Sequence, residues 1–247
     1  MAGHNKWSKI KRQKAAADKK KSKIWARIIR EITVAARDGG GDPEMNPSLA
    51  LAIEKAKSEN MPKDNIERAV LRGTGELEDG GDYEEVTYEG YAPSGVALFI
   101  EALTDNTNRT VADLRHLFGK YGGSLGKAGS VAYLFDRKGK IEIPAEGIDE
   151  LELFELVVEA GAEDMVEEDG MFVVTTPVER FNDVETALHQ ADLKPEEAKL
   201  VRIPTTTVRL DPDDARKVLD FVETIDDHDD VQDVFTTLDE ESTMATA

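Results

Sequence analysis

The chain contains no cysteine. That removes disulfide frameworks, thiolate metal sites and thiol nucleophiles from consideration, and it suits a reducing compartment. No apolar run approaches the roughly 20 residues of a membrane-spanning helix. Residues 1–23 are polar and lysine-rich and lack the apolar stretch of a secretory signal, so a cytoplasmic location is expected. Histidine is scarce too: His4, His116, His189 and His228 are scattered without metal-ligand spacing. What is present suffices for folding. Hydrophobic residues are 40% of 247, enough for real cores in one large domain or two to three small ones.

Charge is unevenly distributed. The formal net charge is −20, yet residues 1–37 carry twelve lysines and arginines against Asp18 and Glu31. That segment is +10, which leaves −30 on the other 210 residues. Such asymmetry suggests one end that faces polyanions on a body that repels them.

The first seventy-odd residues read as three helices with short connections, a small bundle. Ser22 is placed to cap a helix to Arg37, with Ile24, Trp25, Ile28, Ile29 and Ile32 at helical spacing. Asn46-Pro47 opens a second helix. Asp64 and Glu67, spaced as a capping box, open a third that Gly73 closes. Residues 76–82, acidic and glycine-bearing, read as a linker. Strands are expected over 83–91, 96–103, 131–135, 205–210 and 231–238, and helices over 110–121 and 211–225. Residues 139–203 run β-α-β-β-α-β, the ferredoxin-like order. The expected class is therefore α+β: a basic helical domain over 1–75, a middle α/β domain from 80–136 joined with 205–240, and a ferredoxin-like domain, 137–204, inserted into it. The tail from Glu240 reads as loose.

The basic segment carries the clearest chemistry. Lys6, Lys9, Lys11, Arg12, Lys14, Lys19, Lys20, Lys21 and Lys23 can displace counterions from phosphates, and Trp7 among them can stack on an exposed base. Arg27 and Arg30, a helical step apart, extend that face. The competing reading is a solvated lysine tail. Trp25, on the apolar stripe, reads as core. Asn106, Asn108 and Arg109 lie between a strand and a helix, where side chains and helix-end amides suit an anion; the plainer alternative is that Asn108 or Thr110 caps the helix. The glycine-rich run 122–129 fails the P-loop pattern, because Tyr121 and Ala128 stand where glycine and Ser/Thr are required, but Lys127 could still meet a phosphate. The acidic run around His228 lacks the calcium-loop glycine and glutamate and reads as a solvated loop.

Several long segments are distinctive: MAGHNKW at 1–7, IREITVAAR at 29–37, GGGDP at 39–43, NMPKDNIER at 60–68, RGTGE at 72–76, EALTDNTNRT at 101–110 and DDHDDVQ at 226–232. With Tyr88-Glu89-Gly90-Tyr91 and Gly129-Ser130-Val131 they span almost the whole chain, and on them it resembles the YebC/PmpR family, which includes a mitochondrial translational activator of cytochrome c oxidase. Two positions depart from the pattern: Ser94 stands in place of glycine and Tyr133 in place of tryptophan. The resemblance implies a three-domain, cytoplasmic, non-enzymatic regulator of gene expression, usually described as a DNA-binding transcriptional regulator. Relatives act in translation and have been linked to ribosomes on proline runs.

The expectation is a nucleic-acid-binding regulator acting through its basic N-terminal arm and first helix. The partner is DNA or ribosomal RNA, with the ribosome itself as the translational alternative; a protein-interaction adaptor built on the ferredoxin-like unit is a further one. No cofactor, metal, membrane or small-molecule substrate is called for.

Overall fold

The computed structural model describes residues 17–77 and 83–239, with side chains from residue 24 onward in the first stretch. Three helices come first: α1 (Ala17–Gly39), α2 (Pro47–Ser58) and α3 (Lys63–Gly73). The α1 backbone is helical five residues before the expected Ser22 cap. Ile28, Ile32, Leu49, Ala56, Ile66 and Ala69 form the bundle core, with Trp25 packed at its edge. The Trp25 indole N–H donates to the Glu59 carbonyl at 3.1 Å. Asn46 does double duty. Its Oδ1 caps α2 at the Leu49 N–H, and its Nδ2 donates to the Ala35 and Gly40 carbonyls at the end of α1. The capping box expected at Asp64 is absent. Pro62 occupies the cap position without a side-chain bond, and the carboxylate of Glu67 pairs with Lys63 instead.

Next come β1 (Glu84–Tyr91), β2 (Ala97–Thr104), α4 (Thr107–Lys120) and the short β3 (Ser124–Leu125). After a long excursion the chain returns as α7 (Pro212–Asp226) and β8 (Val231–Thr236). These strands form one sheet in the order β3-β1-β2-β8. Helices α4 and α7 cover it through Leu114, Phe118, Val218, Phe221 and Val222, which meet Leu98 and Ile100 of β2 and Val234 of β8. Phe221 lies between two rings, edge-on to Phe118 at 5.0 Å and stacked with Tyr121 at 4.9 Å. Between β1 and β2, Ser94 adopts φ +62°, a left-handed conformation that glycine enters more easily.

The excursion is a compact unit, residues 133–206. Its elements are β4 (Phe135–Pro144), α5 (Glu150–Ala160), β5 (Asp164–Glu168), β6 (Met171–Pro177), α6 (Phe181–Gln190) and β7 (Glu197–Pro204). Antiparallel pairing in the order β5-β6-β4-β7 gives the ferredoxin-like sheet. Residues alternate along the strands, so Ile141, Ile143, Phe172 and Val174 face Leu153, Val157, Val184 and Leu188 of the two helices. The fold is thus α+β throughout, with helices leading.

Two expected strands are corrected. Residues 132–134 form a 3-10 turn, and pairing starts only at Phe135. Residues 205–210 contribute a single bridge, Val208 with Leu238, rather than a strand. Aromatic and β-branched residues suggested strands there, but composition alone does not supply a hydrogen-bonded ladder. The linker's last five residues, 78–82, and the tail from Glu240 lie outside the described residues.

At Gly73 the backbone of α3 lies directly against α1. A Cβ there would fall 2.6 Å from that of Ala36 and also strike the Thr33 carbonyl. Gly73→Ala is therefore expected to destabilise the bundle by about 1–3 kcal/mol, whereas Ser94→Gly relieves the left-handed turn and gains roughly 1 kcal/mol. Thermal and urea unfolding of the two variants against wild type checks both signs.

Candidate nucleic-acid interface and the aspartate joint behind it

Of the expected phosphate-binding residues, Lys6, Trp7, Lys9, Lys11, Arg12 and Lys14 lie outside the described residues. Lys19, Lys20, Lys21 and Lys23 belong to the first two turns of α1. One to two turns further on, the helix changes its use of charge. Arg27 donates to the Asp226 carbonyl and pairs with its carboxylate at 3.5 Å, and Arg30 donates to the Asp229 carbonyl and lies 3.5 Å from Asp230 Oδ1. Their side chains are only 12% and 15% exposed. Arg30 also sits over the Tyr83 ring at 5.7 Å, and Arg37 donates to the Tyr83 carbonyl at 2.6 Å.

The reading of the acidic run as a solvated loop therefore holds for Asp227 and Asp229, which are exposed, and is corrected for the other two aspartates. Asp226 and Asp230 are buried. Asp230, with its side chain 2% exposed, is the hub. Its carboxylate accepts from Arg109 at 2.9 Å, Thr110 at 2.7 Å and Thr104 at 3.2 Å. Its carbonyl accepts from the Leu103 N–H at 2.8 Å, and its N–H donates to His228 Nδ1 at 3.2 Å. A run of like charges looks solvated when read alone, because its partners lie about 120 and 200 residues away in the chain.

Local structure builds the hub. The β2–β8 register slips at Glu101/Ala102, which leaves Gln232 as the extra residue of a bulge. Such slips bend a strand and re-aim the side chains beside them; here Asp230 arrives beside Thr104 at the end of β2. Asn106 then caps α4 through the Arg109 N–H at 3.0 Å, so the cap falls on neither Asn108 nor Thr110. The cap leaves Thr110 one turn in, against Asp230. Around this hub lies an open cleft of about 590 Å³, lined by Arg30, Asp105, Arg109, Asp113, Asp227, His228, Asp229 and Asp230.

Burial alone would raise the Asp230 pKa. Hydrogen bonds from Thr110 and Arg109, with the charges of Arg109 and Arg30, more than offset it and hold the carboxyl below its ordinary value. Burial first, then the Asp230 charge, pushes the Tyr88 phenol up, against a smaller opposing hydrogen bond with Thr110. The cleft's surplus of carboxylates disfavours an anion at the start of α4. Asn106 is used as a cap and Arg109 as an ion-pair partner, while Asn108 is exposed. Among the described residues, no group of histidine and carboxylate side chains is arranged to hold a metal ion.

The glycine-rich loop is also occupied from within. The amides of Gly129, Val131 and Ala132 donate to the buried Glu89 carboxylate at 2.7, 2.6 and 2.8 Å. A nest of N–H groups that elsewhere cradles phosphate here holds the chain's own side chain. Lys127 lies exposed on the rim. Neither Glu89 nor Asp230 is marked as a hub by residue type or spacing, although both fall inside the distinctive segments that carry the resemblance.

The fold class is thus a helical bundle and an α/β layer pair, with a ferredoxin-like unit inserted in the sequence of the latter. Residues 5–76 match the family model described as the TACO1/YebC protein N-terminal domain, and residues 83–238 match that of the TACO1/YebC second and third domain. This chain belongs to the TACO1/YebC family. A relative from Salinibacter ruber, named "Probable transcriptional regulatory protein", is 57% identical over 98% of this chain and 95% of its own length. One of the same name from Thermotoga petrophila is 56% identical, covering 95% and 92%. The crystal structure of the conserved hypothetical protein Aq1575 from Aquifex aeolicus superposes with a TM-score of 0.81 at 45% identity, over 90% of this chain and 91% of that one. Among the described residues, no helix is long and apolar enough to cross a membrane.

Asp230→Asn should cost about 2–3 kcal/mol at neutral pH, since Arg109 and the buried Thr104 and Thr110 hydroxyls lose their acceptor charge. Because the folded-state pKa of Asp230 is lowered, its contribution is present above the unfolded value near about 4 and disappears as pH falls through the folded value. Urea unfolding across acid pH should show the wild-type advantage over the variant shrinking as pH drops.

Proposed function

We propose that this protein is a nucleic-acid-binding regulator of gene expression, and that it grips phosphate through the cationic segment over residues 6–23. One observation carries the reading: +10 charge gathered in residues 1–37 against −30 elsewhere. The names of the relatives support a role in transcription. The division of labour along α1 supports it further. Arg27 and Arg30 are committed to Asp226, Asp229 and Asp230, so they anchor the helix, and the lysines before them carry the binding. The activity is binding without turnover, and it needs no cofactor.

A second reading, association with ribosomal RNA during translation, is favoured by the same charge map. A body of −30 opposes wrapping by a DNA duplex, yet it leaves a lysine arm able to enter an RNA groove or bind a single strand. Gel shifts with promoter DNA beside co-sedimentation with ribosomes separate the two. Transcriptional action predicts the shift without co-sedimentation, and translational action predicts the reverse.

If about eight basic residues meet phosphates, affinity should fall with a log–log salt slope of roughly −6 for single strands and −7 for duplex. Lys19→Glu with Lys20→Glu and Lys21→Glu should weaken binding to all sequences alike, since phosphate contacts position rather than specify. Arg30→Ala should instead lower the thermal midpoint and leave the slope unchanged. Anisotropy titrations over a salt series, paired with melting curves, read both outcomes; a flat salt response removes the electrostatic grip.

A further inference from the structure

The ferredoxin-like unit presents an apolar stripe that its own fold does not cover. On α5, Leu153 and Val157 are buried in the core while Leu151, Phe154 and Val158 are 65%, 43% and 44% exposed. At 100° per residue these three fall within about 60° of helix circumference. Single exposed apolar residues are common and need no explanation, but three aligned on one helix face form a patch. The inner face of α5 is held by the core, so the stripe is rigid and already in place.

Its surroundings have one sign. Between residues 141 and 179 the chain has thirteen acids and no lysine or arginine. Glu155, Glu159 and Glu152 border the stripe on one side and Glu150 on the other, all exposed. Among the described residues, none of these four has a cationic partner. The outer strand β5 adds exposed Asp164 and Glu167 along its edge, a charged edge of the kind that resists strand addition.

From this juxtaposition we infer that the α5 face of the ferredoxin-like unit docks a lysine- or arginine-rich segment of another protein, with apolar side chains from that segment seated on Leu151, Phe154 and Val158. Charge selects the occupant. A nucleic acid or an anionic membrane would be repelled. A second copy placed face to face would bring like carboxylates together, at a cost in either stability or register. A cationic segment with apolar anchors satisfies both features, the apolar contact holding it and the carboxylate rim steering it. This surface is independent of the phosphate grip, and it stands or falls separately from the proposed nucleic-acid binding.

The test uses the full chain and a fluorescent synthetic peptide of about 18 residues with lysine and leucine at helical spacing. Anisotropy should report saturable binding that weakens at least about tenfold in Leu151→Ser/Phe154→Ser/Val158→Ser, and also in Glu152→Lys/Glu155→Lys/Glu159→Lys. Glu84→Lys with Glu85→Lys on β1, which alters charge away from the stripe, should change affinity less than about twofold. All substituted positions are exposed, and circular dichroism confirms that the variants fold. Equal binding by the serine variant would mean plain ion pairing and overturn the inference. It is also overturned if deleting residues 1–21 raises peptide affinity about tenfold, because the chain's own arm is then the occupant. A dimer that dissociates on serine substitution, seen by sedimentation, overturns it in favour of a second copy.

Discussion

The structure turns on a single buried carboxylate. Asp230 draws together a strand end through Thr104, a helix start through Arg109 and Thr110, and the first helix through Arg30. A carboxylate taken out of water is costly unless its lone pairs are used. Here groups from β2 and α4 use them, and Arg30 of α1 adds its charge from 3.5 Å away. Burial and pairing therefore depend on each other: losing one element exposes the charge, and losing the charge removes an acceptor shared by Thr104, Thr110 and Arg109 and the counter-charge beside Arg30.

That constraint explains how a protein with a strongly acidic body keeps a basic helix in place. The end of α7 and the loop after it take Arg27 and Arg30 much as phosphates would, with carboxylates and carbonyl oxygens. The same substitution recurs at Glu89, whose carboxylate fills the amide nest of residues 129–132. In both places an anion-binding feature of the sequence is satisfied internally. The segment ahead of Arg27 differs, since lysines are dense there and acids nearly absent.

The ferredoxin-like unit divides its surface differently. Its sheet and two helices close a core of the usual kind, and the outward face of α5 then combines exposed apolar side chains with an all-acidic border. The protein thus pairs a cationic end suited to phosphates with an acidic, apolar face suited to cationic polypeptide. Both demands come from one chain because its charges are sorted by position instead of mixed.

Helical and strand periods, caps and turn residues made most elements readable in advance: the α2 start at Asn46-Pro47, the α7 start at Asp211-Pro212, and the β-α-β-β-α-β order of the inserted unit are all dictated by local stereochemistry. The concentration of positive charge at the beginning is likewise a property of the sequence alone. Partnership is another matter. Asp230 meets Arg109 across 121 residues and the loop beside it meets Arg30 across 199, and no local pattern encodes such a meeting. Local chemistry can say that an aspartate run repels itself in water; only the packed chain, by bringing arginines and threonines to it and excluding solvent, turns that run into a joint.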